Sequence, residues 1–402
     1  MNAVGIDVSK GKSMVAVMRP FGEVVLSPFE VSHSSGELSK LARLLKSLDG
    51  ESRVIMESTG NYHAPIAKVL YDTGLYVSVV NAMLIHDYGN NSLRRAKTDK
   101  KDAVKLANYG LDHWLSLPQY VPEEDTRFLL KCCYRQYQQY ARLHTMLKNN
   151  LISLLDMIFP AVNRLFNGSA RADGSEKWVD FIDVFWHVQC VASLSLNAFR
   201  EKYLKWCKKH GYNFKEEKAL EIHKTAREHV AVMPKNATTK LLVKQAVAQL
   251  RTVSSAKVAL QNEMDTLASS LPEYPVVMNM FGVGPKLGPQ LMAEIGDVRR
   301  FHSKKALVAY AGIDAPPYQS GQINVHSRSI SKRGSPALRR TLFLVMGVYL
   351  QCSPVDEPVY QYMAMKRAEG KPYLVYMMAS ANKFLRRYYA TVKACLNNLE
   401  SG

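Results

Sequence analysis

Short apolar runs alternate with amphipathic stretches over the first hundred residues, and much longer helical repeats follow. Val4–Val8 and Met14–Met18 read as two strands turning at Ser9-Lys10-Gly11-Lys12, with Glu23–Leu26 as a third. Leu38, Leu41, Leu44, Leu45 and Leu48 mark the apolar face of a helix over Ser34–Leu48, with Ser34 or Ser35 as its N-cap. Arg53–Glu57 and Tyr76–Val80 read as further strands. Between them the pattern predicts a helix over Tyr62–Asp72 that stops at Gly74, and a helix around Asp102 closes the segment.

After Pro122 the texture changes. Positions 129, 133, 136, 140, 143, 147, 150, 154 and 157 follow a 4,3 spacing, a coiled-coil seam with Gln136 and Asn150 as polar breaks. A second seam runs through Val243, Ala246, Leu250, Val253, Leu260, Met264 and Leu267, broken by Lys257. Two such helices pair as an antiparallel hairpin, as a dimerisation arm, or as a hairpin buried within one chain. Between them, residues 163–234 are rich in Trp, His and Lys; Gly168–Ser175 reads as a loop and the rest as short helices without legible chemistry. Further on, Gly282-Val283-Gly284-Pro285-Lys286-Leu287-Gly288-Pro289 looks like a helix-hairpin-helix. Its backbone N–H groups would suit a phosphate, unless it is only a structural turn. These textures set expected boundaries at 1–118, 119–270 with an insert at 163–234, and 271–402.

Charge narrows the class. Lys and Arg number 53 against 35 Asp and Glu, a net charge of +18 over 402 residues, which points to a polyanionic partner such as nucleic acid. The six cysteines, 132, 133, 190, 207, 352 and 395, contain no CxxC pair, so neither a zinc site nor a disulfide framework is expected. No secretory signal is legible, and the apolar stretch around Leu342–Leu350 is too short to span a bilayer. A soluble cytosolic protein is expected.

Four carboxylates carry the most specific chemistry. Asp7 and Glu57 end apolar strands, while Asp99 and Asp102, spaced i, i+3, face one side of a helix. Converging anions of this kind need a divalent cation, and hard oxygen ligands suit Mg²⁺ or Mn²⁺. Two such ions can clamp an in-line phosphoryl displacement. A strand meander followed by alternating helices and strands matches the ribonuclease H-like fold, in which acids gather near the centre of the sheet. Arg94, Arg95, Lys97, Lys100 and Lys101 flank the second acidic pair, placed either to contact a strand backbone or to solvate a helix face. Downstream, Ser320 lies in a turn-rich Pro316-Pro317-Tyr318-Gln319-Ser320-Gly321 run ahead of Arg328, Lys332, Arg333, Arg339 and Arg340. Clustered guanidinium groups beside a serine fit attack on a phosphodiester; a turn serine beside a solvated basic face is the plainer alternative.

The motifs Gly5-Ile6-Asp7-Val8-Ser9-Lys10, Met56-Glu57-Ser58-Thr59-Gly60-Asn61-Tyr62 and Lys97-Thr98-Asp99-Lys100-Lys101-Asp102-Ala103 resemble those of the DEDD transposases of insertion sequences and their relatives, the Piv-type DNA invertases. Tyr318-Gln319-Ser320-Gly321 and Ile330-Ser331-Lys332-Arg333-Gly334-Ser335-Pro336 resemble that family's second domain. The resemblance covers about residues 1–160 and 240–390. It implies a multidomain α/β plus α architecture: a RuvC-like (RNase H-like) domain, long coiled-coil helices and a mainly helical C-terminal transposase domain. It further implies a bacterial recombinase acting on donor and target double-stranded DNA of the nucleoid, guided by a structured non-coding bridge RNA and assembled from dimers into a tetramer. Asp7, Glu57, Asp99 and Asp102 fall on the Mg²⁺ positions and Ser320 on that of the nucleophile that links covalently to DNA. The 163–234 segment is longer than the family leads one to expect.

Three other readings compete. A RuvC-like endonuclease would use water and leave Ser320 incidental. The opening Gly5-Ile6-Asp7 is also similar to that of actin-like sugar kinases, although no second glycine-rich phosphate loop is found. A binding protein without catalysis is the third.

Overall fold

The computed structural model describes residues 1–402 apart from 59, 61, 89–97, 169, 316, 317, 321, 322, 326–328 and 402, with backbone alone for 318–320, 323–325, 400 and 401. The chain divides into two compact units, 1–123 and 124–402.

In the first unit the elements run β1 (Asn2–Val8), β2 (Lys12–Met18), β3 (Val24–Ser32), α1 (Ser35–Lys46), β4 (Ser52–Glu57), α2 (His63–Asp72), β5 (Tyr76–Val80), α3 (Ala82–Tyr88) and α4 (Asp99–Asp112). They build a mixed sheet of order β3-β2-β1-β4-β5. β1, β2 and β3 are antiparallel neighbours, while β4 pairs in parallel with both β1 and β5. Strand alternation sorts the side chains. Val4, Ile6, Val54 and Met56 face Leu38, Leu41 and Leu45 of α1 and Ile66 and Leu70 of α2. Ala3 and Ile55 face Leu106 and Ala107 of α4. Ser34 caps α1, its hydroxyl accepting from the Glu37 N–H. Leu44, expected on the buried face of α1, is exposed.

β3 runs well beyond the expected Glu23–Leu26. Ser27-Pro28 reads as a breaker, yet β3 is an edge strand with a register shift opposite Val15–Met18, and an edge tolerates a residue that cannot donate. The short helix α3 was not expected; Met83 and Leu84 stay exposed, so it has little apolar pattern to betray it.

The second unit is helical: α5 (Asp125–Asp156), α6 (Lys177–Val184), α7 (Gln189–Ala192), α8 (Leu196–His210), α9 (Glu216–Glu228), α10 (Ala237–Ser269), α11 (Tyr274–Met278), α12 (Leu287–Ile295), α13 (Lys304–Ala311), a hairpin of β6 (Tyr318–Ser320) and β7 (Ile323–Val325), α14 (Pro336–Cys352), α15 (Pro358–Ala368) and α16 (Tyr373–Ser401). α5 and α10 pack antiparallel within the chain, which decides among the pairings left open by their sequences. The start of α5 (Leu130, Tyr134) shares a core with the end of α10 (Met264, Ala268). The end of α5 (Leu151, Leu155) shares another with the start of α10 (Val243, Val247, Leu250). The expected boundary at 270 therefore disappears into one unit, because this helix pair threads both cores.

The buried stripe of α5 is also not the seam that the 4,3 spacing selects. Arg127, Leu130, Tyr134, Gln138, Leu151 and Leu155 are buried, whereas Leu129, Gln136, Asn150 and Met157 are exposed. Two adjacent apolar stripes run along this helix, and burial of Tyr134, Leu130 and the paired Arg127 against the C-terminal helices selects the other one. The glycine-rich segment does form a turn between two helices, with Gly282 at φ +76°. α12 is buried along its body and exposed at 284–286, just before it starts. The cysteines 132, 133, 190, 207, 352 and 395 are all free. Among the described residues no helix is long and apolar enough to cross a membrane.

Candidate active site

The acidic half of the site begins with glycine. Gly5 lacks a side chain where α4 crosses β1: a Cβ there would lie 2.0 Å from the Ala103 carbonyl oxygen and 2.5 Å from the Ala107 nitrogen. At the other end of α4, a Cβ on Gly110 would come 3.6 Å from Ala3 Cβ and collide with Ile55. The helix thus runs antiparallel to β1, and its first turn, holding Asp99 and Asp102, lies toward the carboxyl end of that strand. Asp7 ends the same series as Ala3 and Gly5, and Glu57 the same series as Arg53 and Ile55, so strand alternation assigns both to the face that α4 covers. Register pairs Ile6 with Met56, which makes Asp7 and Glu57 neighbours at the ends of parallel strands.

Thr98 starts α4, its hydroxyl accepting from the Lys101 N–H at 3.3 Å. Asp99 and Asp102 sit in the first turn, where the helix dipole favours carboxylates. That placement makes both acids tolerable without any ion. Asp99 is exposed, as are Lys100 and Lys101, while Asp7, Glu57 and Asp102 are half-buried. Among the described residues, no three His, Cys, Asp or Glu side chains stand close enough to hold a metal ion. Backbone placement and an all-oxygen donor set fit a hard divalent cation; the side chains do not stand around a single point. Arg94, Arg95 and Lys97 lie outside the described residues.

The serine half lies in the second unit. Ser320 ends β6 and pairs with Ile323 across the hairpin; its side chain, like Arg328, is outside the described residues. What is described is the neck of the arm that carries it. The Ser331 N–H donates to the Asp314 carbonyl at 2.8 Å and the Lys332 N–H to that of Gly312 at 3.0 Å. The Ser331 hydroxyl donates to the Asp314 carboxylate at 2.5 Å. Below them, Gly312 (φ +64°) and Gly334 bring backbone against backbone: a Cβ on Gly334 would lie 2.2 Å from the Tyr310 oxygen and 2.7 Å from the Gly312 nitrogen. Lys332 takes a left-handed φ of +54°, an uncommon conformation for a lysine, and this turns the chain into Gly334. Lys332, Arg333 and Arg340 are exposed. Arg339 instead points inward, donating to the Ala311 carbonyl at 3.0 Å and the Gly334 carbonyl at 3.4 Å, so it ties the neck together.

Two segments of the chain match known family models: residues 4–160 match an IS110-type DEDD transposase model described as Transposase, and residues 274–361 match the Transposase IS116/IS110/IS902 family. The chain belongs to the IS110 group of DEDD transposases. Its similarity to relatives extends over most of its length. It is 22% identical to the insertion element IS110 uncharacterized 43.6 kDa protein of Streptomyces coelicolor, over 97% of this chain and 93% of that one. It is 24% identical to the pilin gene-inverting protein of Moraxella bovis, over 85% and 80% respectively. A putative transposase of Sinorhizobium fredii is 34% identical over 21% of this chain. As a member of this family it is an enzyme of DNA transposition and recombination, of a kind that suggests use of a divalent metal.

Within this transposase, several contacts that bear on the site carried no sequence signal. Glu294 is fully buried, yet meets Arg135 at 2.6 Å and accepts from the Ser335 hydroxyl at 2.6 Å, while Ser335 also caps α14 by accepting from the Leu338 N–H. This chain of contacts fixes the start of α14, and with it Arg339 and Arg340. Asp314 and Ser331 lie 17 residues apart, and only the closed neck reveals them as partners.

Proposed function

We propose that this transposase is a DNA recombinase that cuts and rejoins double-stranded DNA through a covalent serine–DNA intermediate, guided by a structured non-coding RNA. The observation that carries the metal-dependent half is the contact of Gly5 with α4, which brings the turn of Asp99 and Asp102 toward the strand ends of Asp7 and Glu57. The strand order β3-β2-β1-β4-β5 supports a ribonuclease H-like, RuvC-type assignment for this unit. Asp7, Glu57, Asp99 and Asp102 would hold Mg²⁺, or Mn²⁺, and a divalent ion held there would polarise a phosphodiester. The Ser320 oxygen attacks phosphorus; an Oγ–P bond forms, one P–O bond to the departing sugar breaks, and the serine proton ends on the released hydroxyl. Because one phosphoester replaces another, strands can be rejoined without a nucleotide triphosphate. Lys332, Arg333 and Arg340, joined by Arg328, Lys100, Lys101, Arg94, Arg95 and Lys97, supply cations for phosphate.

RNA guidance, assembly of dimers into a tetramer and location at the nucleoid rest on the family resemblance and on the net charge of +18. The second reading, a nuclease using water, is favoured only by the placement of Ser320 and the four acids in different compact units. A nicked suicide duplex separates the two. Recombination predicts a protein–DNA adduct that requires Mg²⁺ and vanishes in Ser320→Ala and Asp7→Ala; cleavage that survives Ser320→Ala would establish hydrolysis. RNA co-purifying with the protein would carry a defined sequence if guidance is correct.

A further inference from the structure

Residues 163–234 form a small helical lobe. Three of its acids face the helix pair that supports it: Glu176 meets Lys148 of α5 at 2.6 Å, Asp183 meets Lys244 of α10 at 2.5 Å, and Asp180 and Asp183 both hold Arg251 of α10. The outer helix, α8, shows the opposite charge. Phe199, Tyr203, Trp206 and Cys207 bury one side of it, and Lys202, Lys205, Lys208 and Lys209 are exposed on the other. Helical spacing places these four lysines within about a third of the circumference and along about 10 Å of axis. Glu201 shares this face, and among the described residues neither it nor any of the four lysines forms an ion pair.

A helix C-terminus welcomes one or two cations, but Lys202 and Lys205 lie upstream of the last turn, and the positive charge continues past the helix. Arg171 donates to the His210 and Gly211 carbonyls at 2.9 and 2.7 Å and lies 3.8 Å over the Tyr212 ring. Lys177 reaches the Asn213 carbonyl, and burial together with nearby Lys218, Arg171 and Lys215 pushes its ammonium below the usual range. Glu201 shares the face of the four lysines and Glu221 pairs with Lys218, yet cations outnumber carboxylates here, an excess that a polyanion would neutralise.

We propose that this outer face, Lys202, Lys205, Lys208 and Lys209 extended by Arg171 and Lys215, binds the phosphate backbone of a nucleic-acid duplex outside the catalytic site. The proposal rests on the reading of this chain as a recombinase of nucleic acid. A duplex fits better than a single strand because no large hydrophobic or aromatic side chain of α8 is exposed for bases to stack on. DNA and paired RNA offer the same backbone chemistry, so the experiment carries both.

Full-length protein with Lys202, Lys205, Lys208 and Lys209 all changed to Gln would be titrated by fluorescence anisotropy against duplex DNA, a paired RNA hairpin and a single strand, across a salt series. The expected result is at least tenfold weaker duplex binding and a slope of log K on log salt shallower by about 3, with thermal stability unchanged. Loss confined to DNA or to the RNA hairpin assigns the duplex. An equal loss from the matched change of Lys40, Arg43, Lys46 and Lys68 on α1 and α2 would overturn the proposal, because overall charge would then be responsible. So would an unchanged slope, or an equal loss on the single strand. Unaltered protein that binds no nucleic acid would instead overturn the recombinase reading beneath it.

Discussion

Gly5 and Ala103 are in direct backbone contact, with 2.0 Å left between the Ala103 carbonyl oxygen and the point where a side chain on residue 5 would begin. A methyl group there cannot be absorbed by a side-chain rotation, since both obstacles, Ala103 O and Ala107 N, are backbone. Gly5→Ala should lift α4 off the sheet, move Asp99 and Asp102 away from Asp7 and Glu57, and destabilise the first unit by about 3 kcal/mol. Urea unfolding measures the loss. Cleavage by the residual folded protein should also need more Mg²⁺ than the parent; an unchanged metal requirement would show that the helix does not set the spacing of the acids.

Asp314 and Ser331 close the neck of the Ser320 arm, and the Ser331 hydroxyl also accepts from the Arg333 N–H at 3.4 Å. Removing one neutral-to-charged hydrogen bond at a half-exposed site should cost about 1 to 2 kcal/mol of stability. A nucleophile displaced by about 1 Å can lose a hundredfold in rate. Ser331→Ala and Asp314→Ala are therefore expected to slow adduct formation by about tenfold or more while leaving DNA affinity intact, and the double change should be no worse than either alone. Asp314→Asn, which still accepts a hydrogen bond, should recover most of the rate. Equal loss of DNA binding and rate in all three would mean that the arm had simply unfolded.

The uneven legibility of this chain has a physical pattern. Strands β1, β2, β4 and β5 were readable because each is a short apolar run bounded by turn residues, and Ser34 announced α1 as an N-cap. The rest of β3 was hidden by Pro28, whose tolerance depends on being at an edge, a property of the assembled sheet. The buried stripe of α5 is not legible because Leu129, Cys133 and Tyr140 make as good a stripe as Leu130 and Tyr134, and only the partner helices choose between them. The four acids were legible as a motif, and Gly5, part of the same motif, turns out to bring α4 down on the strand. Glu294 and the pairing of Asp314 with Ser331 were not legible, since a polar residue acquires its partner only from what folds beside it. Arg339 reads from its neighbours as one more phosphate-binding cation, yet it donates to the Ala311 and Gly334 carbonyls and so ties the neck.

Arg127 and Glu273 form a buried ion pair that links the start of α5 to the turn before α11, with side chains 6% and 1% exposed. The second contact, Arg127 Nη2 to Glu273 Oε2, is 3.0 Å. Breaking it from one side leaves a charge in a dry site, so Glu273→Leu or Arg127→Met alone should cost about 3 to 5 kcal/mol. Making both changes together should restore most of that stability, because two apolar groups need no partner. A double variant as unstable as the sum of its singles would mean that the pair serves a wider network, of which Glu124, 3.2 Å from Arg127, is the visible member.

His144 gives the second unit an acid-side weakness. It sits half-buried on α5, and burial, with Lys257 and Lys148 nearby, lowers its pKa below the ordinary histidine value; Glu176, 3.9 Å away, pulls the other way and loses. A histidine with a depressed folded pKa must be charged more easily in the unfolded chain. Between the folded value and about 6.5 the unfolded state therefore holds more protons, and stability rises with pH by up to about 1.4 kcal/mol per pH unit. The contribution is complete above about pH 7 and is lost as the pH falls through 6.5 toward the folded value. Urea midpoints at pH 7.5 and 5.5 should differ for the parent protein, and His144→Gln should shrink that difference without lowering the pH 7.5 midpoint by a comparable amount. His33, whose pKa burial also lowers, belongs to the first unit, so a probe on Trp178 or Trp206 separates the two. A parent midpoint from that probe that is flat across the range would show that His144 is solvated well enough to be protonated in place.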